Sequence, residues 1–242
     1  MYSFDSRIRY SEVDKNGLLT LESLINYFQD CSTFQTEDGP ANMAYLKERH
    51  IAWVLNCWQI EVARFPKLGE EVVIGTIPYE IKGMFGFRNF FMDTKDGERL
   101  AVANSIWTLF DFEKLIPARV TKEMIEAYPT GEKLPMNYAD RKIAVPSEGE
   151  TRTFEEITVK TYHLDTNDHV NNGQYIRMAK DCLPDKNMAI ASMRAEYRMQ
   201  ARLGDIICPV MVISGDKDAP VYTISLNNAD GKPYSIVELK SN

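Results

Sequence analysis

The chain has 242 residues, 44% of them hydrophobic and 26% charged, with 28 Lys and Arg against 35 Asp and Glu for a net charge of −7. That length can bury a large core in one domain or two, and that charge excludes a general nucleic-acid binder, which needs a basic footprint. No apolar run approaches the roughly 18–20 residues that cross a bilayer, and the opening MYSFDSRIRY lacks the basic-then-apolar pattern of a secretory signal, so a cytoplasmic protein without a membrane span is expected.

From the N-terminus, period-two alternation predicts a strand over Ser3–Val13. Thr20 is placed to cap a helix, and Leu21, Leu24, Ile25, Phe28 and Cys31 then make one apolar stripe. Four β-rich stretches follow: IAWVLNCWQIEVARF, EVVIGTIPYEI, MFGFRNFFMD and LAVANSIWTLFDF. PKLGE separates the first two, and KDGE is an Asp-Gly hairpin signal before the last. TKEMIEAY reads as a helical turn or two. Residues 131–150, rich in Pro and Gly and without periodicity, read as a linker between a first module at 1–130 and a second at 151–242.

The second module repeats the order of the first. A strand is predicted over Phe154–His163, and a helix follows with Tyr175, Ile176, Ala179, Cys182 and Leu183 on its stripe and Pro184 at its end. RLGD and ADGK stand where PKLGE and KDGE stood. Asp14-Lys-Asn16 matches Asp165-Thr-Asn167, 151 positions on; Glu61 matches Glu196 at 135, and Asp96 matches Asp230 at 134. Three matches in the same order indicate a tandem duplication whose first copy holds about sixteen extra residues between helix and next strand. A helix followed by an antiparallel meander, made twice, predicts an α+β fold.

The copies differ at one telling place. His169 stands opposite Leu18, in a stretch, HLDTNDHVNNGQYI, that holds two of the chain's three histidines. A turn needs no imidazole, so the asymmetry points to chemistry in the second copy. The helix beginning near Asn172 and Gly173 presents backbone N–H groups and the positive end of its dipole, suited to an oxyanion. Asp165 is placed to orient a neighbouring group and Asn167 to hold a water. The cysteines, Cys31, Cys57, Cys182 and Cys208, show neither CxxC spacing nor a disulfide framework, so reduced thiols and no metal site are expected. Trp53, Trp58 and Trp107 read as core. Arg194, Arg198 and Arg202, with Arg177 and Lys180, offer a basic patch or a solvated face.

DTNDHVNNGQYI resembles the D-x-N-x-H-V-N-N-x-x-Y-I motif of the acyl-ACP thioesterases, and the IAWVLNCWQIEVARFPKLGEEVVIGT, GFRNFFMDTKDGERLAVANSIWTLFDFEKLIPARV and AEYRMQARLGD stretches agree along almost the whole chain. The resemblance implies a tandem, or double, hotdog fold: two antiparallel sheets, each wrapped around a long helix. It implies that the first module shapes the acyl pocket and the second supplies catalysis, with Asp165, Asn167 and His169 matching the family's catalytic Asp, Asn and His. The expected reaction is hydrolysis of fatty acyl-ACP to free fatty acid and holo-ACP. No cofactor is expected, since the substrate carries its own phosphopantetheine. Where plant members usually have Arg-Glu-Cys after a Tyr-Arg pair, this chain has Met199-Gln200-Ala201 after Tyr197-Arg198. No Cys nucleophile is available there, and the Gln200 amide can orient water but cannot act as a base. Glu196 is the alternative acid. An acyl-CoA thioesterase, or a hotdog acyl-binding sensor without turnover, are the competing readings, and pairing into a homodimer stays open.

Overall fold

The structure, a computed structural model, describes residues 1–241. The chain divides into two compact units, Met1–Ala139 and Asp140 onward. The first contains β1 (Tyr2–Arg7), α1 (Leu21–Glu37), α2 (Met43–Glu48), β2 (Ile51–Val62), β3 (Glu71–Lys82), β4 (Phe85–Thr94), β5 (Arg99–Asp111), β6 (Ile116–Pro117) and α3 (Lys122–Ala127). Its strands run in the order β1-β3-β4-β5-β2, antiparallel throughout, with β6 on β5. The second contains β7 (Glu150–Thr153), β8 (Ile157–Thr158), α4 (Asn172–Lys180), β9 (Ile190–Tyr197), β10 (Ile206–Asp216), β11 (Ala219–Asn227) and β12 (Pro233–Ser241). Here the order is β9-β12-β11-β10, and both β7 and β8 pair with β10.

In the first unit the α1 stripe is the core. Thr20 Oγ1 accepts the Ser23 N–H at 3.2 Å and starts the helix, and Leu21, Leu24, Ile25, Phe28 and Cys31 are all buried. The Phe28 ring meets Trp58 at 6.1 Å and Phe90 at 5.4 Å, and those two rings lie 4.9 Å apart. Each of these fully buried side chains contributes roughly 1.5–3 kcal/mol. Gly75 is required by packing: a Cβ there would lie 2.1 Å from the Phe91 ring, which crosses from the paired position on β4.

The predicted first strands end early in both copies. β1 stops at Arg7 and a 3₁₀ turn occupies Tyr10–Glu12; in the second unit the strand predicted over Phe154–His163 is the short β8, followed by a 3₁₀ turn at Thr161–His163. The reason is a side chain competing with the ladder. Glu12 Oε2 accepts the Arg9 N–H at 2.8 Å, and His163 Nδ1 accepts the Lys160 N–H at 3.1 Å. The extra residues of the first copy are the last two turns of α1 and the whole of α2, so α4 is the shorter helix at nine residues.

Residues 131–150 are shared between the units because each part docks on its own sheet. In the first unit, paired positions across β4, β5 and β2 carry Asn89, Asn104 and Gln59. Asn89 Oδ1 accepts the Leu134 N–H at 3.0 Å and the Tyr138 hydroxyl at 2.9 Å, and Gln59 Oε1 accepts the Ala139 N–H at 2.9 Å. In the second, Arg194 donates to the Asp140 and Lys142 carbonyls at 2.7 and 3.2 Å, while Glu196 Oε2 accepts the Ile143 N–H at 2.8 Å. An irregular segment over a sheet needs partners for its backbone, and these side chains supply them. Replacing Asn89 with Ala orphans the part-buried Leu134 N–H, while the Tyr138 hydroxyl keeps the Leu134 carbonyl at 2.7 Å, and is expected to cost about 1–3 kcal/mol in urea unfolding; a loss below about 0.5 kcal/mol, the scale of a neutral surface change, would show that the segment is not held this way.

Candidate active site

The Asp-x-Asn turn is built twice with the same bonds. In the first unit Asp14 Oδ1 accepts the N–H of Asn16 at 2.8 Å and of Leu18 at 3.0 Å, and the Asp14 N–H donates to the Leu18 carbonyl at 2.8 Å. In the second, Asp165 Oδ1 accepts the N–H of Asn167 at 2.8 Å and of His169 at 3.4 Å, and the Asp165 N–H donates to the His169 carbonyl at 2.8 Å. An Asx-turn of this kind closes a loop without help from the other side chains. The Asp165 carboxylate therefore binds the backbone of Asn167 and His169. One position is strained: Asp168 has φ of 59°, where the first copy has Gly17 at 73°.

Side chains released from loop-building are open to chemistry. Asn167 is exposed and His169 half-buried. Directly after them Asn171 caps α4, its Oδ1 accepting the Gly173 N–H at 2.8 Å, while its carbonyl takes the Gln174 N–H at 2.9 Å. This corrects one expectation: the Gly173 amide is engaged in the cap and is not an open oxyanion donor. What the helix start contributes, beginning at Asn172, is the positive end of its dipole.

Gln200 reaches the loop through the backbone. β9 ends at Tyr197, after which the Arg198 and Met199 N–H groups both turn to the Tyr234 carbonyl, at 2.8 and 3.2 Å. The Val170 N–H then donates to the Ala201 carbonyl at 2.9 Å, which fastens the segment to the loop one residue from the exposed Gln200. The Ala201 N–H donates to the Tyr175 hydroxyl at 3.0 Å, locking this segment to α4; burial raises the Tyr175 pKa and keeps that hydroxyl protonated.

Glu196 is not brought to the loop. The Tyr197 hydroxyl donates to the Asn172 carbonyl at 3.2 Å, so the neighbouring Glu196 lies on the opposite face of β9. There it binds the Ile143 N–H and, at 2.9 Å, the Arg198 guanidinium, which also donates to the Ile143 carbonyl at 3.2 Å. Burial opposes its charge, but those bonds outweigh burial and hold its pKa below the usual range. Arg194 and Arg198 are thus occupied with residues 140–143 and do not form an open basic patch. Cys31 and Cys182 are not activated either: burial pushes the Cys31 thiol up to about 12 and the Cys182 thiol to about 11.

One residue of this neighbourhood escaped the sequence reading. His163 is 8% exposed, and its carbonyl accepts the Asn171 N–H at 2.9 Å, closing the base of the loop. With Nδ1 occupied by the Lys160 N–H, its proton sits on Nε2. The signal was available, since the 151 offset sets His163 opposite Glu12, whose carbonyl accepts the Thr20 N–H at 3.0 Å in the same way.

A family model described as the acyl-ACP thioesterase N-terminal domain matches residues 1–128, and one described as the C-terminal domain matches residues 147–239. The chain belongs to the acyl-ACP thioesterase family. It is 25% identical over 244 residues to the chloroplastic acyl-[acyl-carrier-protein] hydrolase FATB3 of Cuphea viscosissima, covering 91% of this chain and 58% of that one. It is also 25% identical over 219 residues to oleoyl-acyl carrier protein thioesterase 2 of Arabidopsis thaliana, covering 83% and 59%. The chain thus spans less than two thirds of these relatives. Among solved structures, an acyl-ACP thioesterase from Bacteroides thetaiotaomicron superposes with a TM-score of 0.88 at 23% identity, covering 99% of this chain and 97% of that one. The 12:0-ACP thioesterase from Umbellularia californica gives 0.82 at 18%, covering 100% and 93%. These likenesses establish the tandem hotdog fold of this acyl-ACP thioesterase family member.

Two outcomes test the site's construction. Asp168→Gly should leave stability within about 1 kcal/mol of the parent, whereas Asp168→Val should lose about 1–2 kcal/mol, because a β-branched residue resists the left-handed region; equal stability of the two variants would contradict the strain. For Glu196 the folded pKa is depressed, so its stabilisation is present above the ordinary carboxylate value of 4.5 and is lost as pH falls through the folded value. Urea unfolding should therefore show Glu196→Gln weaker than the parent at pH 7, with the gap closing on acidification below 4.5.

Proposed function

We propose that the chain hydrolyses fatty acyl thioesters borne on acyl carrier protein, releasing a free fatty acid and the holo-carrier. The observation that carries this reading is the duplicated turn: the same Asp-anchored loop appears twice, and only the second holds an imidazole, His169, beside a helix N-terminus. Family membership and the names of the relatives, acyl-[acyl-carrier-protein] hydrolase and oleoyl-acyl carrier protein thioesterase, support the same chemistry.

The reaction needs a water, a place for its proton and a stabilised oxyanion. In this reading the carboxamides of Asn167 and Gln200 hold the water. Its oxygen bonds to the acyl carbon while His169 takes the released proton, and the positive end of α4 lies toward the charge developing on the carbonyl oxygen. Collapse breaks the C–S bond, and the proton from His169 passes to the departing thiolate. Asp165 acts on the reaction through the backbone, holding the position of His169. The buried, high-pKa Cys31 and Cys182 thiols favour water over a covalent thiol intermediate.

His169→Ala should lower kcat by about 10²–10⁴-fold, the usual worth of a general acid–base group, measured as free thiol released from an acyl-ACP. Binding without any His169-dependent release would identify a sensor instead. Matched acyl chains on carrier protein and on coenzyme A should give the higher kcat/KM with the carrier; a strong preference for the CoA ester would overturn the carrier assignment.

A further inference from the structure

The two copies differ in charge at a second place, on the outside of the catalytic loop. In the first unit Arg9, Glu12 and Asn26 line one surface cleft, and Glu12 neutralises it: its carboxylate lies 3.5 Å from the Arg9 guanidinium and accepts the Tyr27 hydroxyl at 2.7 Å. The 151 offset sets Lys160, His163 and Arg177 at these positions in the second unit. A cation is kept, an acid becomes a neutral imidazole, and an amide becomes a second cation.

The second unit does bring these three together. The Lys160 N–H donates to His163 Nδ1 at 3.1 Å and the Asn171 N–H to the His163 carbonyl at 2.9 Å, repeating the bonds of Arg9 and Thr20 to Glu12, so α4 sets Arg177 where α1 sets Asn26; burial first, then the positive charges of Lys160 and Arg177, push the His163 pKa below its ordinary value. Lys160 and Arg177 are exposed. Glu156 and Asp181 are the acids nearest to them along the chain, yet neither forms an ion pair with Lys160 or Arg177 among the described residues. Elsewhere on this chain of net charge −7, surface arginines such as Arg64, Arg99 and Arg152 each meet a carboxylate within 3 Å.

We propose that Lys160 and Arg177, flanking neutral His163, form a seat for an anionic phosphate, and that its occupant is the phosphodiester of the phosphopantetheine arm delivering the thioester. This rests on the thioesterase reading given above. His163 holds both the loop base and the space between the cations, so arm and catalytic loop are registered through one residue. A carboxylate in place of His163 would repel the phosphate and pair with Lys160, as Glu12 pairs with Arg9.

The experiment is calorimetric and needs no turnover. 4′-Phosphopantetheine, pantetheine, coenzyme A and holo-carrier protein are titrated into the full chain and into Lys160→Gln, Arg177→Gln and His163→Glu. The parent should prefer 4′-phosphopantetheine to pantetheine, and each variant should reduce that preference by about tenfold, the size of one lost charge-assisted contact. Weakened holo-carrier binding in the variants assigns the seat to the carrier's arm, and weakening confined to coenzyme A assigns the same seat to the free coenzyme. No preference in the parent, or a preference unchanged in all three variants, would overturn the seat. A parent that shows the preference but releases no thiol would instead refute the hydrolase reading and leave the seat standing.

Discussion

A single carboxylate oxygen holding two backbone N–H groups is the constraint from which the rest of this chain follows. Asp14 and Asp165 each use Oδ1 to tie the amides two and four residues on. That closes a loop which leads, two residues on, to the cap of the unit's principal helix, Thr20 or Asn171. Because shape comes from the Asp and the backbone, the other side chains of the loop are free to diverge. In one copy they are Asn16, Gly17 and Leu18; in the other they are Asn167, Asp168 and His169. A structural turn and a proposed reaction centre are thus the same object with different cargo.

The polar faces of the sheets answer to a different need. A segment without regular structure crosses each sheet, and its N–H and C=O groups require partners away from water. Asn89 and Gln59 meet it in the first unit, and Arg194, Glu196 and Arg198 in the second. Polar residues alternating with apolar ones along a strand look the same in sequence whether they face a substrate, a solvent or a strap of chain. For β9 the strap is the answer: Glu196 binds Ile143 and Arg198 there, away from the loop.

Much of the fold was legible because its signals are local and repeated. The α1 stripe, the four long strands of the first unit and the two Asp-Gly hairpins need only periodicity and turn chemistry, and the duplication offered each twice. The ends of β1 and β8 were illegible for a specific reason: Glu12 and His163 each capture an amide three residues back, a bond that alternation cannot reveal. The shorter α4 and the division of residues 131–150 were hidden likewise, since both depend on what the chain packs against.

By itself the sequence determined the two-copy architecture, the position of the Asp-x-Asn turns, the family resemblance and the imidazole present in only one copy. These are matters of residue type, spacing and comparison between copies. Only the tertiary structure decided which polar groups face the loop. The bond from Val170 to Ala201 brings the segment after β9 to the loop, while the turn of Tyr197 toward α4 sends Glu196 away. The physical reason is that adjacent residues of a strand point to opposite faces, so one register choice, set by distant partners, assigns every side chain its role.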